Sequence, residues 1–197
     1  MLQSAVLMAA EPPALAAQFW SLFGFTLNNS TMAEIKAELG PAKLFPVPQG
    51  HHEQALCYIV EKGKSVAVFS SGELGGGEVL LGIALERPDL HSYPCVLPKR
   101  KLVESLPLGL HLGMTRSDFT ERLGGAVEEL KGGLVVKRFE FERKLSDEEL
   151  RRIERQDGRE IAEAIRGRGV ADAYQSIWAK VRRKGVVAIG VWKEETF

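Results

Sequence analysis

The sequence predicts an α+β protein made of two related units, each with one helix and an antiparallel sheet, and with a helical insertion in the second unit. Three observations predict this class. The segment 24–40 recurs, one residue shorter, at 109–124. Strand-like runs of β-branched and apolar residues follow each copy, and glycine-containing turns separate those runs. The 197 residues, 45% hydrophobic and 26% charged, exclude disordered, collagen-like and low-complexity classes and are enough to bury a sizeable core.

Each copy of the repeated segment predicts a short helix with the same start and the same end. A threonine precedes an acidic residue by three positions, the pattern of a capping box, in Thr31 with Glu34 and in Thr115 with Asp118. Apolar pairs four residues apart then lie on one helix face, and a glycine follows where a left-handed residue ends a helix. These residues are Ile35, Leu39 and Gly40 in the first copy, and Phe119, Leu123 and Gly124 in the second.

The predicted strands follow each helix. In the first unit they cover 55–61, 64–71 and 78–86 as an antiparallel meander, and in the second they cover 134–143, 173–182 and 186–194. The resulting organisation is an N-terminal helical segment (1–22), a first unit (23–87), a proline-rich linker (88–107) and a second unit (108–197). We expect the linker's Lys99-Arg100-Lys101 to be solvated.

A charged helical insertion is predicted at 146–169. Ser146 is its N-cap, Gly158 breaks or bends it, and it carries the apolar residues Leu150, Ile153, Ile161 and Ile165. The many arginines of this segment are interleaved with acidic residues at helical ion-pair spacing and have no accompanying aromatic residues. We therefore expect a solvated, self-paired helix rather than a nucleic-acid-binding one.

The amino terminus allows two interpretations. The segment 1–17 is apolar and rich in small residues, but it has no basic start, so we read it as native structure. Pro12 or Pro13 suits the first turn of a helix, whose buried stripe is Leu15, Phe19 and Leu22 or Phe23. A mature protein whose signal peptide had been replaced by Met1 would look the same.

The two cysteines, Cys57 and Cys95, are too few for a disulfide scaffold and have no metal-ligand spacing. Cys57 lies in an apolar strand-like run, which favours a buried thiol, and Cys95 lies in the proline-rich connection. The alternative to free thiols is a disulfide between the two, which would form only in an oxidising compartment.

Charge and motif searches exclude several functions. The formal net charge is zero. The first 97 residues are nevertheless net acidic and the remainder is net basic. This asymmetry indicates either that the two halves dock or that the second half carries a basic binding surface. No P-loop, nucleophile elbow or catalytic triad is found, and His51-His52-Glu53 is a poor metal site because adjacent loop residues seldom point at one centre. No stretch is long and apolar enough to span a membrane. We predict no enzyme activity, cofactor, metal or nucleic-acid partner.

The second copy carries a family resemblance. Gly113-Met114-Thr115-Arg116-Ser117-Asp118, followed by Leu123-Gly124, resembles the motif that opens the small outer-membrane assembly lipoproteins of the SmpA/OmlA type, and the first copy has Asn29-Ser30-Thr31 at the matching place. The tandem arrangement is similar to the β-lactamase-inhibitor-protein fold. The resemblance implies a protein-binding module, in the periplasm or cell envelope, with no chemistry of its own. If Met1 is the native start, a cytoplasmic location follows instead.

Strand alternation predicts the binding surface. In the last hairpin, Ile177, Ala179, Val181, Val187, Ile189 and Val191 are expected to face the helices. The opposite face then carries the candidate partner-binding residues Tyr174, Trp178, Lys180, Arg182 and Trp192. The alternative is that a loop, the insertion or the other half covers them. The favoured function is non-enzymatic protein binding of the envelope scaffold or assembly type; an inhibitor or immunity protein is the alternative, and an enzyme with an unrecognised site is the least favoured.

Overall fold

The structure, a computed structural model, describes residues 13–46, 54–60, 63–72, 77–90, 94–104 and 106–196. Within these ranges the helices are α1 (Ala14–Ala17), α2 (Met32–Leu39), α3 (Arg116–Arg122), α4 (Asp147–Asp157) and α5 (Arg159–Arg168). The strands are β1 (Ser21–Leu22), β2 (Phe25–Thr26), β3 (Phe45–Pro46), β4 (Gln54–Val60), β5 (Ser65–Ser71), β6 (Gly82–Glu86), β7 (Glu128–Leu130), β8 (Leu134–Lys144), β9 (Val170–Arg182) and β10 (Gly185–Thr196). The fold is α+β, as predicted.

One antiparallel sheet runs through both halves of the chain, in the order β3-β4-β5-β6-β10-β9-β8-β7. The halves meet at its centre, where β6 pairs with β10 from Ala188↔Glu86 to Trp192↔Gly82. One hydrophobic core lies on the side of the sheet that carries α2 and α3, and it draws on both halves, for example Phe69 and Ile177. We call this the core face of the sheet and the opposite side the outer face.

The two helices of the repeated segment begin as predicted. The Thr31 hydroxyl accepts a hydrogen bond from the Glu34 amide at 3.2 Å, and the Thr115 hydroxyl accepts one from the Asp118 amide at 3.1 Å, with both capping boxes complete. A glycine of positive φ follows each helix, Gly40 (100°) directly after α2 and Gly124 (75°) after the C-cap Leu123 of α3, and this conformation favours glycine. Each helix is then followed by strands in the same order, with α4 and α5 interposed in the second half.

Removing either cap is expected to destabilise the protein by a similar amount. Thr31→Ala and Thr115→Ala should each lower the free energy of unfolding by about 1 kcal/mol, because each leaves orphan amides in the first helical turn. Thr120→Ala, inside α3, is the control and should be near neutral, since alanine has the higher helix propensity. Urea denaturation measures all three, and a loss at Thr120 as large as at the caps would contradict the assignment.

In the N-terminal segment, the predicted buried residues are confirmed, but the predicted helix is wrong. α1 ends at Ala17, and β1 and β2 form a short hairpin in which the predicted helix would have continued. Phe19 and Leu22 are nevertheless buried in the core. Residues 1–12 of the apolar segment 1–17 lie outside the described part of the chain.

The last hairpin contains a β-bulge that shifts the predicted alternation. Val186 pairs with Val181 and Ala188 with Lys180, so Val187 is the extra residue. Val186 therefore joins the core on the same side as Ile189 and Val191, and Val187 does not belong to that cluster. In the first half, the strand predicted for 78–86 is confined to Gly82–Glu86, since a turn occupies residues 77–78.

The proline-rich linker packs on the first half rather than lying in solvent. Its Cys95 forms a disulfide with Cys57 of β4, so the free buried thiol that the strand context favoured is not what the structure contains. Arg100, expected to be solvated, donates to Glu38 Oε1 at 2.5 Å and to the Phe23 carbonyl at 2.5 Å. The Arg100 side chain is still 37% exposed, and Lys99 and Lys101 are exposed as expected.

The insertion forms two helices separated by Gly158, as predicted. Ser146 and Glu149 complete the capping box of α4, and Leu150 and Ile153 are buried. Of its other apolar residues, Ile161 is 49% exposed, while the neighbouring Ala162 is buried. None of the helices within the described residues has the length and apolar character needed to cross a bilayer.

Candidate functional site

The outer face of β9 and β10 carries all the predicted partner-binding residues. Trp192 pairs with Ser176, so its side chain lies on the same face as Tyr174 and Trp178. Lys180 and Arg182 continue that face along β9. Tyr174 is 48% exposed and Arg182 is exposed, while Trp178, Lys180 and Trp192 are half-buried.

Each tryptophan lies against a glycine on the neighbouring strand. Gly190 is the cross-strand partner of Trp178, and a Cβ there would come within 2.4 Å of the indole; Gly82 is the partner of Trp192, and a Cβ there would also come within 2.4 Å. The missing side chains let both indoles lie low over the sheet. The Trp192 indole is further held by its Nε1, which donates to Glu194 at 2.7 Å.

Trp178 also contacts an apolar cluster on the outer face of the first half. The buried members of this outer patch are Phe45, Ala55, Cys57, Val66, Val68 and Ala84. The insertion does not lie on this face, since the β10 residues beside α4 are Lys193 and Glu195, which alternate with Trp192 and Glu194. The tryptophans are thus fixed against the sheet and still partly open to solvent.

A basic corner adjoins this face at the β9–β10 turn. A hollow of about 470 Å³ over Val187 is lined by the cations Arg87, Arg182, Arg183 and Lys184. Asp89 lies 3.7 Å from Arg182, with both side chains more than half exposed. The corner therefore keeps a net positive charge.

A polar cleft on the core side of the sheet was not predicted from the sequence. Its volume is about 380 Å³, and its walls are the turn after β2, the ends of β8 and β10, and the exposed side of the α4 start. The charged side chains that line it are Arg143, Glu148, Glu149, Arg152, Arg155, Lys193 and Glu195.

Arg143 is the centre of a buried ion network in this cleft. It donates to both oxygens of Glu195, at 2.9 and 2.6 Å, and to both oxygens of Glu149, at 2.6 and 3.1 Å. Lys193 donates to Glu195 at 2.5 Å and lies 4.3 Å from the centroid of the Trp20 ring. The Glu195 and Lys193 side chains are only 5% and 4% exposed, so the network is largely removed from water. It ties β8, β10 and α4 together.

The network shifts the pKa values of its members. Burial raises the pKa of Glu149, but hydrogen bonds from Arg143 and Ser146 outweigh this and hold that pKa at about 2. Burial likewise opposes ionisation of Glu195, and the hydrogen bond from Arg143 with the charge of Lys193 lowers its pKa overall. For Lys193, burial prevails over Glu195 and lowers the pKa. Both carboxylates are therefore charged at neutral pH.

Trp20 connects the cleft to the N-terminal segment. Its Nε1 donates to Gln175 Oε1 at 2.8 Å, and the buried Gln175 amide donates to the Ala16 carbonyl at 2.9 Å. With Leu27, the Trp20 ring forms an apolar part of the cleft wall.

Lys193 and Glu195 occupy buried positions on the side of β10 that is otherwise apolar, and this interruption was the sequence signal for the network.

The arginines of the insertion are self-paired only in part: Arg151 has no ion pair among the described residues, and Arg168 pairs with Asp172 of β9. Arg159 pairs with Glu163 at the expected i,i+4 spacing, whereas Arg166 of α5 pairs with Glu154 of α4. Arg152 and Arg155, however, line the cleft without an ion-pair or hydrogen-bond partner among the residues that the structure describes.

Metal-binding geometry is not found in the described ranges, where no group of three or more His, Cys, Asp or Glu side chains converges. The weak candidate His51-His52-Glu53 lies outside those ranges. Comparisons with protein-family models, with curated proteins and with solved structures gave no match to this chain.

Proposed function

We propose that this chain is a non-enzymatic protein-binding module whose contact surface is the outer face around Trp178 and Trp192. The observation that carries the proposal is that the two indoles are held low over the sheet by glycine partners and remain half-buried rather than covered. Aromatic anchors of this kind, fixed before binding and surrounded by polar residues, dominate the energetics of protein interfaces. Tyr174, Lys180 and Arg182 provide that polar surround.

The charge next to this surface supports an acidic partner. The basic corner continues the face at Arg182, and its cations outnumber the nearby carboxylates within the described chain. Like a charged rim at other interfaces, it would speed association with an acidic protein surface and make that rate fall with salt.

Among protein-binding modules, we propose one of the envelope scaffold or assembly type; the alternative is an inhibitor or immunity protein. The Cys57–Cys95 disulfide supports a compartment outside the reducing cytosol. The two capping boxes and the same order of elements after them support a relationship between the halves, as in the families that the motif resembles. A partner that is an enzyme losing activity on binding would favour the inhibitor.

The test is site-specific photo-crosslinking from the outer face. A photoreactive phenylalanine analogue replaces Tyr174 in one variant and Ile161 in the control, since these side chains are almost equally exposed, at 48% and 49%, and Ile161 lies on α5. We expect a discrete protein adduct from position 174 and none from 161. The same adduct from both positions, or none from position 174, would contradict the proposal.

With the crosslinked partner purified, Trp178→Ala and Trp192→Ala should each weaken binding by about 2 kcal/mol or more, as truncation of an anchor does. Gly190→Ala tests the orientation alone, because the new Cβ displaces the Trp178 indole without removing it. Ser176→Ala, between the tryptophans on the same face, is the control. If the tryptophan variants lower the melting temperature sharply while the folded fraction binds normally, these residues are core and the site lies elsewhere.

A further inference from the structure

We propose that the polar cleft between α4 and the sheet binds a small oxyanion, the carboxylate or phosphate group of a compact molecule, through Arg152 and Arg155. This site is separate from the outer face, since the cleft lies on the other side of the sheet. The proposal is independent of the protein-binding function.

The first step is the charge balance of the cleft. Arg143 pairs with both Glu149 and Glu195, and Lys193 pairs with Glu195, so two cations are matched by two carboxylates. The buried network is thus internally neutral. Its two carboxylates are already paired with Arg143 and Lys193, so they do not neutralise the charges of Arg152 and Arg155.

The second step is the position of those arginines. Arg152 and Arg155 are three residues apart on α4, which places them on one helix face, and both line the cleft. Of the described carboxylates that line it, Glu148 alone lacks an ion-pair partner, so the cleft keeps an excess of one positive charge. Guanidinium groups bind carboxylate and phosphate oxygens through paired hydrogen bonds, and this chemistry selects an oxyanion over other anions.

The third step is the shape of the cleft. Its volume of about 380 Å³ falls in the range of small-molecule sites. Trp20 and Leu27 provide an apolar surface beside the arginines, and the Trp20 ring is fixed by Gln175 on one side and by Lys193 over its face. A ligand with a small apolar body next to its oxyanion fits both surfaces.

The experiment titrates the whole protein with acetate, benzoate and inorganic phosphate. Binding is followed by NMR through the Arg152 and Arg155 Nε–Hε signals and the Trp20 indole signal. Benzoate should bind more tightly than acetate, with a dissociation constant of about 1 mM or tighter, because its ring adds contact with the apolar wall. Phosphate binding without benzoate binding assigns a phosphate ligand, and the reverse assigns a carboxylate. Failure of all three probes to shift these signals overturns the proposal.

Matched variants of α4 distinguish binding at a defined site from nonspecific attraction of anions to the surface charge. Arg152→Gln and Arg155→Gln should each weaken binding by about tenfold, as loss of a charged hydrogen bond does. Arg151→Gln removes the same charge from an exposed residue of α4 that does not line the cleft, and it should leave affinity unchanged. Glu148→Gln should strengthen binding by roughly two- to fivefold by removing a repulsive charge. Equal weakening by the Arg151 variant would overturn the proposal.

Discussion

Replacing Arg143 with methionine should lower the free energy of unfolding by about 3 to 5 kcal/mol, the range for a buried ion pair that loses one partner. The substitution keeps an unbranched side chain but leaves Glu195, whose side chain is 5% exposed, without its two hydrogen bonds from Arg143. Glu149 loses two more. Lys193 compensates only in part, because its single contact reaches one oxygen of Glu195. Urea denaturation at pH 7 is the measurement.

An exposed arginine on the same strand provides the control. Arg138 pairs with Glu128, and both side chains are 52% exposed. Arg138→Met should therefore cost no more than about 1 kcal/mol, as exposed ion pairs do. Equal losses at the two positions would show that the Arg143 network is not a buried one.

The acid dependence of stability should change with the same substitution. The folded-state pKa of Glu149 is about 2, against 4.5 for the unperturbed group. A depressed carboxyl pKa stabilises the folded state fully above the unfolded value, and the stabilisation is lost as the pH falls from 4.5 through 2. Arg143→Met removes the main cause of this depression, so the variant should lose less stability than the unmodified protein over that interval. An equal loss of the free energy of unfolding in the two proteins over that interval would contradict the assignment.

The elements predicted correctly from the sequence depend on neighbouring residues. The capping boxes at Thr31 and Thr115 join residues three positions apart, so a single helical turn contains all the information needed. The strand alternation that placed Trp178 on the outer face is equally local. The bulge at Val187 escaped prediction because its cause is the register between β9 and β10, which is not set by alternation along one strand.

The polar cleft escaped prediction because its parts are distant along the chain. Arg143 and Glu195 are separated by 52 residues, and Trp20 and Gln175 by 155. A single sequence gives no sign of which arginine reaches which carboxylate once strands from both ends are brought together. What it did contain was Lys193, a charged residue that continues the buried row of Ile189 and Val191. A lysine in such a row indicates a buried partner even when the partner is unknown.

Loss of the Cys57–Cys95 disulfide is expected to have an effect as large as loss of Arg143. The bond closes a loop of 38 residues, for which restriction of the unfolded chain contributes about 4 kcal/mol of stability. It also fastens the linker to β4, beside the hydrogen bond from the Ile59 amide to the Val96 carbonyl at 2.8 Å.

The disulfide is best removed in two ways, because substitution also removes buried sulfur. Reduction of the unmodified protein breaks the crosslink and leaves both sulfur atoms in place. The double variant Cys57→Ala/Cys95→Ala removes both; alanine is preferred to serine at Cys57, which is 1% exposed, since a buried hydroxyl without a partner would add its own cost. The reduced protein should lose about 4 kcal/mol in urea denaturation. The double variant should lose at least as much, because it also lacks the buried sulfur, and reductant should not affect it. If reduction exposes both thiols with no change in stability, the folded structure holds the linker in place without the bond.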